Sequence, residues 1–278
     1  MGAETNCFSS YPQYVYRTLE QFAAPALKSM IENQNTIVVI PARMASARLP
    51  GKPLADINGE PMIVHVWRRA IEANVGQVLV AAAEAAIADA VRSHGGDAIV
   101  TDPAHPSGTD RIAEALRLRD PQGRFRFVVN LQGDLPAIDA LSVQRCLAGL
   151  INEQADISTI AARIEDAEDI VNPHIVKAIA PLGEEREVAF ARDFVRRLQP
   201  EHQPPCWHHI GVYAYRRAAL ERFVALPVSP REAERSLEQM RALDNGMRIV
   251  VVRVDAVPVG VDTPAGLEMA RKLLRKPT

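Results

Sequence analysis

The chain has 278 residues, 47% hydrophobic and 24% charged, with a formal net charge of −2 at pH 7. That balance belongs to a folded globular protein and excludes a disordered or collagen-like chain. It also argues against the basic stripe by which proteins grip a nucleic-acid backbone. The three cysteines, Cys7, Cys146 and Cys206, have no C-x-x-C spacing and make neither a disulfide framework nor a zinc signature.

The apolar stretches, such as 156–164, are interrupted well short of a membrane span. Residues 1–35 lack the basic start and continuous apolar middle of a secretory signal. The expectation is a soluble, cytoplasmic protein with no nucleic-acid partner and no membrane insertion. Residues 1–35, rich in Asn, Gln, Ser and Tyr, read as an N-terminal extension, and 36–278 as the main domain. Within the extension, Leu19, Phe22, Ala23, Leu27 and Met30 fall at helical spacing and predict a helix over 16–31.

From residue 36 onward short β-branched runs alternate with helical patterns. Strands are predicted at 36–40, 77–81, 97–101 and 125–131, the later three each followed by a segment of helical period. Pro61 marks a first helical turn before Ile63, Val66, Trp67 and Ala70; Thr109 precedes Ile112, Ala113 and Leu116. Apolar strands between amphipathic helices imply a parallel sheet covered on both faces. Residues 156–164, 175–180 and 207–215 then read as strands joined by loops, before a βα unit returns at 248–275. The predicted class is α/β: one domain with a mixed, mostly parallel sheet and an antiparallel insertion.

Ligands of open α/β sheets bind outside the carboxyl ends of the strands, so the loops at 41–54, 102–111, 132–136 and 258–264 are the places to search. The first, "PARMASARLPGKPL", is not a Walker A loop: Ser46 stands where Gly is needed and Pro53 where Ser or Thr is needed. It has no G-x-G-x-x-G either. Arg43, Arg48 and Lys52 supply charge, Pro50 and Pro53 stiffen the backbone, and Gly51 permits a turn. Arginine forks suit phosphate oxygens and a lysine is a compact mobile charge, so a triphosphate matches the set. The plainer reading is a solvated loop whose cations pair with nearby acids.

Asp134 in "NLQGDLP" and Asp262 in "VGVDTPAGLE" end strands, and two such carboxylates suffice for Mg²⁺ when substrate phosphates and water complete its shell. Taken singly, Asp262 also reads as a helix cap and Asp134 as a turn residue. In "HPSGTDR", Ser107 or Thr109 caps a helix, or the exposed amides and Arg111 contact a nucleotide. His208 and His209 have no ligands at zinc spacing and should face opposite ways on a strand. An inward His209, with Tyr213 on the same face, binds a polar substrate or is a satisfied core histidine.

The segment "IPARMASARLPGKPLADINGEPMIVHV" resembles the signature of the 3-deoxy-manno-octulosonate cytidylyltransferases, the CMP-Kdo synthetases. The resemblance runs over about 37–274 and takes in "HPSGTDR", "NLQGDLP", "NPHIVKAI", "HHIGVYAYRR", "SLEQMRAL" and "VPVGVDTPAGLE" in the expected order. It implies a single nucleotide-diphospho-sugar transferase-like (Rossmann-like) domain, forming a homodimer partly through the antiparallel insertion. The implied reaction is CTP plus Kdo to CMP-Kdo and pyrophosphate, with Mg²⁺, for lipopolysaccharide assembly.

By the same resemblance Arg43, Ser46, Arg48 and Lys52 hold the triphosphate, and Ser107, Thr109, Arg111 and Gln132 place the nucleotide. Asp134 and Asp262 hold the metal and act in catalysis with Lys52 and Arg43, while Arg192, His209 and Tyr213 meet the sugar acid. The chain departs from the family pattern at Ala83, where an Asp is usual, at Ala191, where Ser or Thr is expected, and at Arg235, where a Glu is usual. These departures bear on which sugar is taken. A cytidylyltransferase for an amino-substituted Kdo or a sialic acid, or a non-catalytic nucleotide-binding relative, is the competing reading.

Overall fold

Strand β1, Thr36–Ala42, is buried at every position, as expected of a run with apolar residues on both faces of its pleat. In this computed structural model, which describes residues 35–46, 48–199 and 205–275, β1 lies inside the main sheet. The helix expected over 16–31 lies outside the described residues. β1 is followed by a 3-10 turn at Lys52–Leu54 and a small ribbon of β2 (Asp56–Ile57) and β3 (Glu60–Pro61). Helix α1 (Met62–Ala73), β4 (Gln77–Ala82), α2 (Ala85–Arg92), β5 (Ala98–Val100), α3 (Gly108–Arg119) and β6 (Phe127–Asn130) complete the first half.

The second half holds α4 (Ala140–Asn152), β7 (Ile157–Arg163), α5 (Ala167–Val171), β8 (Lys177–Ile179), β9 (Val188–Phe190), β10 (Asp193–Val195) and β11 (Trp207–Arg216). It ends with α6 (Arg217–Ala225), α7 (Pro230–Arg235), α8 (Gln239–Asp244), β12 (Ile249–Val254) and α9 (Pro264–Leu273). The main sheet runs β5-β4-β1-β6-β11-β7-β12-β9, with β8 against β11 and β10 beyond it. Pairings β5-β4, β4-β1, β1-β6 and β7-β12 are parallel; β11 is antiparallel to both β6 and β7.

The mixed α/β sheet and the strands of the insertion therefore stand where the sequence puts them. β9 and β10 are additions: each is three residues long, too short to make a run that periodicity detects. One helix start is corrected: Pro61 lies just before α1 rather than inside it. Of the two caps offered for α3, Ser107 is the one, its Oγ accepting from the Asp110 amide.

The pleat of β1 sends Val38 and Ile40 into one core with Val66, Ala70, Leu147 and Leu150, and Ile37 and Val39 into the opposite core with Ile112, Leu116, Leu220 and Phe223. A third, smaller cluster joins Ile57, Met62, Val261, Leu267 and Ala270. Asn58 Nδ2 donates to the Arg271 carbonyl and Arg271 Nε to the Asp56 carbonyl, both at 2.9 Å. The ribbon after the first loop is thereby tied to α9 at the far end of the chain.

Asp120, at the end of α3, has a fully buried side chain that accepts from the Phe125 amide at 2.9 Å and from Arg217 Nη1 at 2.6 Å. Burial alone raises its pKa, but these donors and Arg124 outweigh that and hold it below the ordinary aspartate value. Its stabilisation is present at neutral pH and is lost as pH falls through that lowered value. Asp120→Asn, which removes the buried carboxylate from Arg217 and leaves it Glu221 and the residue-120 carbonyl, is expected to cost about 3 kcal/mol in urea unfolding at pH 7. The difference from the parent should shrink at acid pH.

Candidate active site

Gly51 has φ of +72°, a left-handed conformation that glycine adopts without steric cost, and it turns the chain into the 3-10 helix that begins at Lys52. Pro53 is buried at that turn, and the Gly51 amide donates to the Met44 carbonyl at 3.0 Å. The backbone under Lys52 is thus anchored. The turn at 132–135 is anchored differently: a Cβ on Gly133 would come 2.9 Å from the Pro41 carbonyl oxygen, so the turn packs directly on the end of β1. The Val261 amide donates to the Asp134 carbonyl at 2.9 Å, which brings the third loop alongside.

Lys52 Nζ consequently donates to Asp134 Oδ2 and to Asp262 Oδ1, each at 2.8 Å, and Arg48 Nη2 donates to Asp262 Oδ2 at 2.9 Å. Three loops far apart in sequence meet at one ammonium. The helix-cap reading of Asp262 is set aside, because Thr263 takes that role with its Oγ1 accepting from the Gly266 amide at 3.1 Å. Burial works against the charge of Asp262, yet the hydrogen bonds and charges of Lys52 and Arg48 leave its pKa below the ordinary value. For Lys52 burial is again the largest single influence and opposes the charge, but Asp134 and Asp262 together raise its pKa.

These groups line a cavity of about 370 Å³. Arg43, Ser46, Arg48 and Lys52 face it from the first loop, Asp134 and Gln132 from the turn after β6, and Asp262 from the loop before α9. Ser107 and Arg111 face it from the start of α3. Arg43 is exposed and has no ion-pair partner among the described residues. Gln132 Nε2 donates to Asn130 Oδ1 at 2.9 Å, which fixes the orientation of its amide.

Arg111 is 2% exposed, with Nη1 donating to Thr101 Oγ1 at 2.6 Å and to the Asp102 carbonyl at 3.0 Å. Its Nη2 has no hydrogen-bond partner among the described residues. Buried donors are normally satisfied, so this is an unmet donor on a side chain that lines the cavity. Burial is the largest influence on this guanidinium and lowers its pKa.

Not every expected site residue joins the cavity. Thr109 is buried and donates to Glu238 Oε2 at 2.8 Å. Arg192 lines a separate hollow with Lys177, Asp193 and Trp207. His209 does not line the cavity: it is buried, 3.0 Å from Thr159 Oγ1, with Phe194 and Tyr213 rings 4.9 and 5.5 Å away. That is the satisfied core histidine. Thr159 Oγ1 also lies 2.8 Å from the Val212 carbonyl, which holds a bulge where the register between β11 and β7 shifts.

Sequence reasoning passed over His105, which lines the cavity with Nε2 2.5 Å from Glu114 Oε2; the signal was its place at the head of "HPSGTDR". It also passed over Glu238 and Gln239, whose Oε1 and Nε2 are buried without partners among the described residues. No periodicity marks a buried polar pair in a short helical segment.

Among the described residues no three or more His, Cys, Asp or Glu side chains gather as a metal cage. The donor set fits Mg²⁺ nonetheless. Two carboxylates already aim one oxygen each at a single cationic centre, and Mg²⁺ characteristically takes its remaining ligands from phosphates and water.

A mixed α/β sheet with a cationic loop after its first strand and two acidic strand-end loops around one cavity defines a protein of nucleotide phosphate chemistry. Residues 37–249 match the profile of the cytidylyltransferase family. The 3-deoxy-manno-octulosonate cytidylyltransferase of Paramagnetospirillum magneticum is 54% identical over 86% of this chain and 97% of its own length. The protein of that name from a Bradyrhizobium species is 57% identical over 86% of this chain and 97% of its own. A solved structure of CMP:2-keto-3-deoxy-manno-octonic acid synthetase complexed with CTP superposes with a TM-score of 0.78 at 38% identity, covering 86% of this chain and 98% of that one. The chain belongs to the 3-deoxy-manno-octulosonate branch of the cytidylyltransferase family.

Burial lowers the His209 pKa to about 3. Between that value and the ordinary 6.5 the unfolded chain binds a proton that the folded chain refuses, so stability falls as pH falls. The expected ceiling on the slope from this group is about 1.4 kcal/mol per pH unit. The His209 imidazole resonance is expected to stay at its neutral position in NMR titration from pH 8 to pH 5.

Proposed function

We propose that this protein transfers the cytidylyl group of CTP to the anomeric hydroxyl of Kdo, giving CMP-Kdo and pyrophosphate. The observation that carries the reading is the meeting of Arg43, Arg48 and Lys52 with Asp134 and Asp262 around one cavity. The hydroxyl oxygen attacks the α-phosphorus in line. The new O–P bond forms as the bond from the α-phosphorus to the bridging oxygen breaks, pyrophosphate leaves with the electron pair, and the hydroxyl proton goes to solvent. Such transfer depends chiefly on positioning and charge stabilisation.

The leaving pyrophosphate is met by Arg43, a fork without a competing carboxylate, and by the cations of Arg48 and Lys52. Asp134 and Asp262 would hold Mg²⁺, whose chemistry when bound is to neutralise phosphate oxygens and acidify the attacking hydroxyl. Gln132, Ser107 and Arg111 orient the nucleotide. The sugar carboxylate is assigned to Arg192 on the family resemblance: it is exposed and has no ion-pair partner among the described residues, and because it lines a hollow apart from the cavity the assignment requires the two to close on the sugar together. Arg235, where the family pattern has Glu, donates to Asp193 Oδ1 at 2.7 Å beside Arg192 and so adds positive charge to that region.

Among the described residues no helix is long and apolar enough to cross a membrane. A cytoplasmic homodimer that supplies an activated sugar for lipopolysaccharide assembly is the setting that goes with this reading.

The test is pyrophosphate release, crossing four nucleoside triphosphates with Kdo, 8-amino-Kdo and a sialic acid, with and without Mg²⁺. Release with CTP, Kdo and Mg²⁺ together is expected. Release only with another sugar acid overturns the Kdo assignment, and no release under any condition overturns the enzyme reading. Asp134→Asn is expected to lower turnover by about two orders of magnitude, with CTP affinity by calorimetry in the absence of Mg²⁺ within about threefold of the parent. Parent-like turnover in that variant removes Asp134 from the metal site.

A further inference from the structure

The lysine of the first loop stands on the spot that the two carboxylates define. Its ammonium is 2.8 Å from an oxygen of each, and its side chain is only 16% exposed. Two aspartates that converge on one cation without a third carboxylate are neutralised here from within the protein.

We propose that Lys52 is an internal plug of the divalent-cation site, bridging Asp134 and Asp262 until nucleotide phosphates draw its ammonium away and free both carboxylates for the metal. The inference rests on the metal reading given above and adds an order to it. The backbone of Lys52 is pinned by the left-handed Gly51 and the buried Pro53, so the motion belongs to the four-carbon stem alone. Arg48 is a looser latch: it holds only Asp262 and its side chain is 62% exposed. Among the described residues Arg43 has no carboxylate to leave, and it is the standing receptor to which a polyphosphate first binds.

The plug couples two ligands. A metal ion that arrives alone must evict an ammonium with no other acceptor within its hydrogen bonds, so it binds poorly. A triphosphate offers that ammonium more negative charge than two carboxylates do, and the carboxylates it leaves then need a cation. Each ligand therefore strengthens the other, and the two factors must be equal. The device also keeps two close aspartates from repelling each other, or the entering phosphates, before the metal is present.

The test uses the full chain without nucleotide and follows free Mn²⁺ by its electron paramagnetic resonance signal. Lys52→Met is expected to bind Mn²⁺ about tenfold or more tightly than the parent, because the carboxylates have lost their internal cation. Arg43→Met removes the same charge from the same cavity without touching either carboxylate, and its effect is expected to stay below about threefold. Lys52→Gln is measured alongside, so that a folding defect in one variant, read from its thermal unfolding, leaves the comparison standing.

Equal Mn²⁺ affinity in the parent and both Lys52 variants, with binding abolished by Asp134→Asn, overturns the plug and leaves the metal reading intact. Tightening of the same size in Arg43→Met also overturns it, since general charge then explains the effect. No Mn²⁺ binding by any protein in the set overturns the plug and the metal reading together.

Discussion

The functional end of this molecule converges on one ammonium group. Lys52 meets Asp134 and Asp262 at a single point, and those two residues belong to different strand-loop units from opposite halves of the chain. Ion pairs at a surface contribute little by themselves; this one is anchored by packing beneath it. The cluster of Ile57, Met62, Val261, Leu267 and Ala270 clamps the ribbon after Lys52 against the helix that follows Asp262. Removing apolar surface from water supplies the rigidity, and the charges are placed by it rather than placing it.

The same economy runs through the sheet. β1 is buried on both faces, and its neighbours β4 and β6 lie parallel to it, so the loops after β1 and β6 emerge on the same edge. That edge is where Gly133 rests on the Pro41 carbonyl and where the Asp134 carbonyl accepts the Val261 amide. Lys52, Asp134 and Asp262 are thereby presented from loops whose backbone is anchored beside the strand ends. β11 runs the other way inside the sheet, antiparallel to β6 and β7 on either side, and its bulge is fastened by Thr159.

Charge in the cavity is arranged in two kinds. Arg43 has no acidic partner among the described residues, while Arg48 and Lys52 are engaged by carboxylates. Arg111 is different again, buried and pinned through Nη1 with Nη2 unsatisfied. Among the described residues the cavity is thus lined by an arginine without an acidic partner, two cations engaged by carboxylates, and a buried arginine with an unmet donor. Such a mixture makes binding strongly dependent on the ligand's charge distribution, because each exchange has a gain only when the incoming group outcompetes a carboxylate.

Much was legible from residue order alone: β-branched runs before helical periods placed the strands of the sheet, and proline and glycine around Lys52 marked a stiff, turned loop. The cationic set and the strand-end aspartates were legible too, since their type and position follow from local chemistry. Tertiary structure decided which readings survive. Asp262 serves Lys52 and Arg48, Thr109 turns to Glu238, and His209 becomes a core group because β11 packs it beside Phe194. Each of these depends on a partner distant in sequence, which periodicity and propensity do not encode, whereas strands, turns and charge clusters are set by neighbours a few residues away.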